Sequence, residues 1–183
     1  MNRGRLPVEY VLLGFLMDKP THGYDLHRRV EEKLGRVWRV GLSNLYAALK
    51  RLEESGAVEF TLSAQEDRPD RKIYQITPQG RERFLAWVRE PIPSMRDMRV
   101  IFPAKLYFFH HLGLEGIEAL ISAQEDACRE RLARLNASAE RYPPDDFNQL
   151  VFDFRRRQLE AILDWLQACA GATYLNDTAG AEG

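Results

Sequence analysis

Long hydrophobic runs are missing from this 183-residue chain. No apolar stretch approaches the roughly 18 residues that a membrane-spanning helix needs. The opening residues, MNRGRLPVEY, also lack the apolar core and small-residue cleavage site of a secretory signal. Cysteine is scarce: Cys128 and Cys169 stand far apart, in neither a CxxC nor a CxxH spacing. Reduced, buried thiols in a cytoplasmic protein are the expectation, against a disulfide or a metal site. Among the histidines, His110 and His111 are adjacent and point about 100° apart on a helix, while His22 and His27 miss the i, i+4 spacing. No metal site is expected. GxSxG, glycine-rich phosphate-loop and HExxH patterns are absent too, so neither an enzyme nor a cofactor is expected.

A dominant charge is also lacking, since the net charge is −1. The halves differ, with 16 basic against 13 acidic residues in 1–90 and 10 against 14 in 91–183. A net of +3 in the first half suits a polyanionic partner but is a small excess.

What is present is periodicity. Hydrophobic residues make up 45% of the chain, enough for a core in each of one or two domains. A first helix is expected from Pro7 through VEYVLLGFLM, apolar around most of its circumference and therefore central. Pro20 ends it, Thr21 offers a cap, and a second helix follows over about 22–34, stopped by Gly35. The third begins near Leu42 or Ser43 and ends at Ser55-Gly56. The period then changes to two at 58–63 and again at 72–76, marking strands separated by the polar segment SAQEDRPDR. Thr77-Pro78 opens a fourth helix. Three helices, a hairpin and a closing helix within 1–90 describe a winged helix-turn-helix.

The third helix carries the functional signal. Stepping 100° per residue places Leu42, Leu45, Leu49 and Leu52 on one stripe. Ser43, Asn44, Ala47, Lys50 and Arg51 cover the other side, with Tyr46 at its edge. Glu53 and Glu54 are held back to the last turn. Small side chains at Ser43 and Ala47 allow close approach to a groove. Asn44 suits a base edge, and Tyr46 and Lys50 suit phosphates. Taken by itself, such a helix also reads as an ordinary amphipathic one with a solvated face. The preceding helix-turn-helix and a following hairpin with Arg68, Arg71 and Lys72 favour DNA. Glu66, Asp67 and Asp70 cancel much of that hairpin's charge.

Four runs then fall in one order and spacing: THGYDL at 21–26, WRV at 38–40, LYAALKRLEESG at 45–56 and YQITPQG at 74–80. Together they resemble the PadR family of transcriptional regulators over residues 6–90. The resemblance implies a homodimeric repressor whose winged domains read an inverted repeat. The third helix would enter the major groove and the wing would lie along the backbone or minor groove. Family roles fall on Ser43, Asn44, Tyr46 and Lys50, with the wing role on Arg68, Arg71 and Lys72.

After a linker over 91–96, bracketed by Pro91 and Pro93, the chain reads as helix throughout 97–170. The whole is thus mainly α with a small β-hairpin: a winged helix-turn-helix followed by an antiparallel helical dimerisation domain. One helix is expected around 103–112, with Pro103 leaving its start open. A longer one spans 114–141, with Gln124 and Arg131 interrupting its apolar seam, and a last one spans 145–170. Residues 171–183 read as a disordered tail. Arg155, Arg156 and Arg157 spread over about 200° of a helix and cannot form one flat patch. Ile117, Ile121, Cys128, Phe154, Ile162, Trp165 and Leu166 are the expected dimer interface, because one pair of helices cannot cover both apolar stripes. Some PadR-like regulators respond to flat aromatic compounds. Here KLYFFHH, with Tyr107, Phe108, His110 and His111, would be the place for such an effector, its alternative role being dimer core. A winged-helix scaffold without DNA binding is the rival reading of the chain as a whole.

Overall fold

The computed structural model describes residues 8–65 and 68–172, excluding the side chains of 64–70. Among the described residues, seven helices and a three-stranded antiparallel sheet follow in the order α1 (Val8–Leu16), β1 (Thr21–His22), α2 (Gly23–Leu34), α3 (Leu42–Glu54), β2 (Val58–Gln65), β3 (Arg68–Ile76), α4 (Pro78–Arg89), α5 (Met95–His111), α6 (Ile117–Ala139) and α7 (Phe147–Ala170). The expected helix start at Pro7 and most of the expected tail lie outside the described residues.

As its all-round apolar pattern requires, α1 is central: Val11 to Leu16 are all buried. Leu26, Val30 and Leu34 of α2 bury at the helical repeat. The α2–α3 connection is tied back to α2, since Val40 donates its N–H to Glu31 (3.3 Å) and its carbonyl lies 2.8 Å from His27 Nε2. Helix α3 ends on Gly56 at φ +69°, where the Ala57 N–H reaches the Leu52 carbonyl at 2.9 Å and the Gly56 N–H reaches Glu53 at 3.0 Å. Only glycine enters that left-handed region without strain. Thr77 caps α4 by accepting from the Gly80 N–H at 3.1 Å.

Two local expectations are corrected. Thr21 does not cap α2: its hydroxyl donates to the Lys19 carbonyl (3.0 Å), and its backbone pairs with Tyr74 in a two-residue strand at the sheet edge. The wing strands are also longer than the alternation suggested. They run to Gln65 and from Arg68, with an irregularity between Ser63 and Gln65. The added positions, Ala64-Gln65 and Arg68-Pro69-Asp70-Arg71, are almost all polar in sequence, so they offer no apolar alternation to detect.

Glu9 joins three helices of this half. It receives Arg51 Nε of α3 at 2.7 Å and Arg83 Nη2 of α4 at 2.9 Å, and the Arg83 guanidinium also lies over the Tyr10 ring. Arg51 is therefore not on the outward face of α3. Glu9→Ala is expected to lower stability by about 1–2 kcal/mol, because two half-buried guanidiniums lose a shared carboxylate. An unchanged urea midpoint would contradict this.

In the second half, α6 and α7 pack as an antiparallel pair. α5 begins at Met95, eight residues before Pro103, and belongs to both halves. Phe102 meets Trp165 of α7 edge-on at 5.9 Å. One turn and a half later, Phe108 meets Phe15 and Phe84 at 5.3 and 5.4 Å, lying so close to Gly14 that an added Cβ there would come within 2.5 Å of its ring. The polar residues in the α6 seam prove to hold the connector. Gln124 is fully buried; its Oε1 accepts from the Ile92 N–H at 2.5 Å and its Nε2 donates to the Ile92 carbonyl at 3.1 Å. Arg131 reaches the Pro93 carbonyl at 3.5 Å. A proline-bracketed segment cannot join regular structure, so its buried backbone takes side-chain partners.

Candidate nucleic-acid interface

The fold turns one side of α3 outward. Leu45, Ala48, Leu49 and Leu52 are buried, while Ser43, Asn44, Tyr46, Ala47 and Lys50 are exposed. Leu42 departs from the expected stripe: it is 41% exposed at the helix start, and Ala48 takes the fourth buried position. No acidic residue stands in the first turn. Lys50 is 3.7 Å from Glu54 in an exposed i, i+4 pair. Such a pair is weak and is readily exchanged for a phosphate.

Behind α3, the wing is not uniformly available. Arg71 is exposed on β3. Lys72 is committed instead: its ammonium is 3.2 Å from Glu53 and 3.5 Å from the Phe60 ring centre. Arg68 opens β3, and its side chain lies outside the described residues. Between wing and helices lies a cleft of about 650 Å³ that sequence reasoning did not single out. Its walls include His22, Tyr24, Tyr46, Arg71 and Tyr74. The signal for it was the THGY run: a Cβ on Gly23 would stand 2.7 Å from the Tyr46 ring, so glycine is needed for Tyr46 to lie on α2.

The KLYFFHH residues sit where α5 meets α1. Phe108 is fully buried in the core and forms no wall of an open site. The Tyr107 ring stacks on His111 at 5.2 Å and lies 5.8 Å from Phe15. His110 and His111 are half-buried, and His111 Nε2 is closed off from solvent without a hydrogen-bond partner. Burial lowers the His111 imidazole from its ordinary value, with Asp18 opposing and Arg29, Lys33 and His110 reinforcing the shift.

The seven expected interface residues divide. Ile121, Cys128 and Leu166 are buried within the single chain and need no second copy to cover them. Ile117 and Ile162 are half-buried, whereas Phe154 and Trp165 are 61% and 39% exposed. Phe147 and Leu150, which the expected interface omitted, are exposed as well. Leu159, which the expected interface also omitted, joins Leu166 and Cys169 on the buried face of α7. Arg156 and Arg157 both pair with Asp153.

Residues 12–86 match the transcriptional regulator PadR-like family, and residues 98–173 match the family described as virulence activator alpha C-term. The negative transcriptional regulator PadR of Bacillus subtilis is 27% identical over 171 residues, which are 88% of this chain and 94% of that protein. A crystal structure of Bacillus subtilis PadR in complex with operator DNA is similar over 88% of this chain and 96% of that one, at 25% identity and a TM-score of 0.47. A second, in complex with p-coumaric acid, covers 91% and 96% at 25% identity and a TM-score of 0.40. Residues 12–86, which hold the winged helix-turn-helix and its outward α3, are thus a PadR-like transcriptional regulator domain, followed by a segment that matches the second family.

Proposed function

We propose that this chain represses transcription in the cytoplasm as a homodimer that reads an inverted repeat and releases it on binding a small aromatic acid. The observation that carries the reading is the exposed, acid-free N-terminal face of α3. Asn44 reads a base edge, Ser43 and Ala47 permit close approach, Tyr46 and Lys50 meet phosphates, and Arg68 and Arg71 guide the wing. Residues 1–90 form the reader, 91–96 the linker and 97–170 the dimerising part. Phe147, Leu150, Phe154 and Trp165 supply an exposed apolar row on α7 for a twofold interface of more than ~2,000 Å². That symmetry sets the two α3 helices ~34–36 Å apart, or a multiple of it. The effector reading is supported by the closed-off His111 Nε2 beside the Tyr107 ring, at the junction of α1 and α5. His110, the next residue on α5, is half-buried beside them. A ligand there acts only if it binds one dimer geometry better than the other.

Lys50→Ala is expected to weaken binding equally across DNA sequences and to reduce the salt slope by ~1. Asn44→Ala is expected instead to relax discrimination at particular base pairs by ~1–3 kcal/mol. Fluorescence anisotropy on duplexes from the chain's own promoter measures both. If neither variant changes affinity or selectivity, α3 does not carry recognition, and the scaffold reading gains. Sedimentation equilibrium showing a folded monomer at micromolar concentration would refute the dimer.

A further inference from the structure

We propose that the cleft between the start of α2, Tyr46 and β3 is a phosphate seat that grips the DNA backbone beside the recognition helix. The inference rests on the DNA-reading function proposed above, and it adds Tyr74, Tyr24 and the first turn of α2 to the residues that bind.

The first turn of a helix leaves backbone N–H groups without intrahelical partners, and anions gather there. In α2 the cap residue, His22, makes no side-chain bond to that turn. Its Nδ1 lies 3.2 Å from the Lys72 carbonyl, which can only accept, so His22 is spent on tying α2 to β3. Gly23, Tyr24 and Asp25 of that first turn line the cleft, and the cap residue gives their amides no side-chain acceptor.

A second, independent feature points to a ligand. Tyr74 is only 6% exposed, and it turns what remains accessible into this cleft. Its hydroxyl makes no hydrogen bond among the described residues. With the rest of the side chain held in the core, that hydroxyl is left as a donor aimed into the cleft, ready for an acceptor that enters it. Its ring packs tilted against Phe60, so its position is fixed by the core rather than chosen by solvent. Burial and the nearby Glu53 raise the Tyr74 phenol above its ordinary value, which keeps it a donor.

Arg71 supplies the countercharge from β3, whereas Lys72 is already neutralised by Glu53. Asp25 also lines the cleft, but its carboxylate stands 3.6 Å from Arg28. Tyr46 belongs both to the outward face of α3 and to the cleft wall, so an anion held here sits directly beside the recognition helix. At about 650 Å³ the cleft takes a sugar-phosphate segment rather than a lone ion, which favours the DNA backbone over free phosphate.

A phosphate contact is independent of sequence, so a random-sequence duplex at low salt is a sufficient probe. Tyr74→Phe keeps the ring and the Phe60 packing. It is expected to weaken binding about tenfold, as for loss of a hydrogen bond to a charged group. Arg71→Ala is expected to lower the salt slope by ~1. The double variant is expected to lose less than the product of the two effects, because both side chains hold one phosphate. Circular dichroism and thermal melts of each variant confirm the fold. Native affinity in Tyr74→Phe, or independent effects in the double variant, overturns the seat while leaving the regulator reading intact. Absence of any duplex binding by the native chain overturns both. If inorganic phosphate saturates the native cleft at millimolar concentration and displaces DNA more than chloride does at matched ionic strength, the ligand is a free anion, and the assignment to the DNA backbone is wrong.

Discussion

Replacing Lys105 by methionine is expected to abolish a gain in stability that the native chain makes between about pH 8 and pH 10.5. Lys105 is 2% exposed, and its ammonium donates to the Trp87 and Glu90 carbonyls at the end of α4, both at 2.5 Å. These carbonyls, with the Trp87 ring at 4.9 Å, satisfy the ammonium, but they do not replace its hydration. Burial lowers its pKa to about 8, with Glu90 opposing. In the unfolded chain the ordinary lysine value of ~10.4 applies. Between those values the unfolded state holds the extra proton, so this group makes folding more favourable as pH rises. The full swing is about 3 kcal/mol, at 1.36 kcal/mol per pKa unit. Cys128 and Cys169, raised by burial, push the other way in the same range, because their thiols ionise first in the unfolded chain. They are common to both proteins and cancel in the difference. Urea unfolding of native and Lys105→Met chains at a series of pH values measures it. A difference that stays flat with pH would show that Lys105 is not titrating in this window.

The second large effect belongs to Gln124. Gln124→Leu preserves volume but leaves the Ile92 N–H and carbonyl without their partners. Each unsatisfied buried group costs about 1–3 kcal/mol, so a loss near 3 kcal/mol is expected. The change is also local: amide exchange at Ile92 is expected to lose its protection before neighbouring helices do. Native-like exchange at Ile92 in the variant would mean that something else holds the connector.

The reader half was legible because its parts repeat short-range rules. Apolar periodicity placed α1 to α4, Gly56 and Thr77 marked an end and a start, and the exposed side of α3 followed from counting turns. Where interactions run between distant residues, the sequence was silent. Nothing near Glu9 announces Arg51 and Arg83, and Lys72 looks like a free wing cation until Glu53 and Phe60 are seen beside it. Gln124 and Arg131 looked like flaws in a seam because their true partners are backbone atoms of a linker. Leu159 was overlooked on α7 because larger aromatics drew the face toward Phe154. The cleft at Tyr74 was hidden for the same reason, being assembled from segments far apart in the chain, from His22 to Tyr74.

The sharing of α5 between the two halves has a practical consequence for anyone cutting the gene. A break after residue 90 falls in the proline-bracketed connector and looks like the natural seam, yet it strips Phe108 from the pocket formed by Gly14, Phe15 and Phe84. A truncated reader would carry a hole at its centre. A chimera joining this reader to a foreign oligomerisation module must keep the chain through His111. The splice then passes Pro103, whose missing N–H leaves one turn of α5 without its bond to Arg99. Any flexing tolerated between the two halves belongs at that turn.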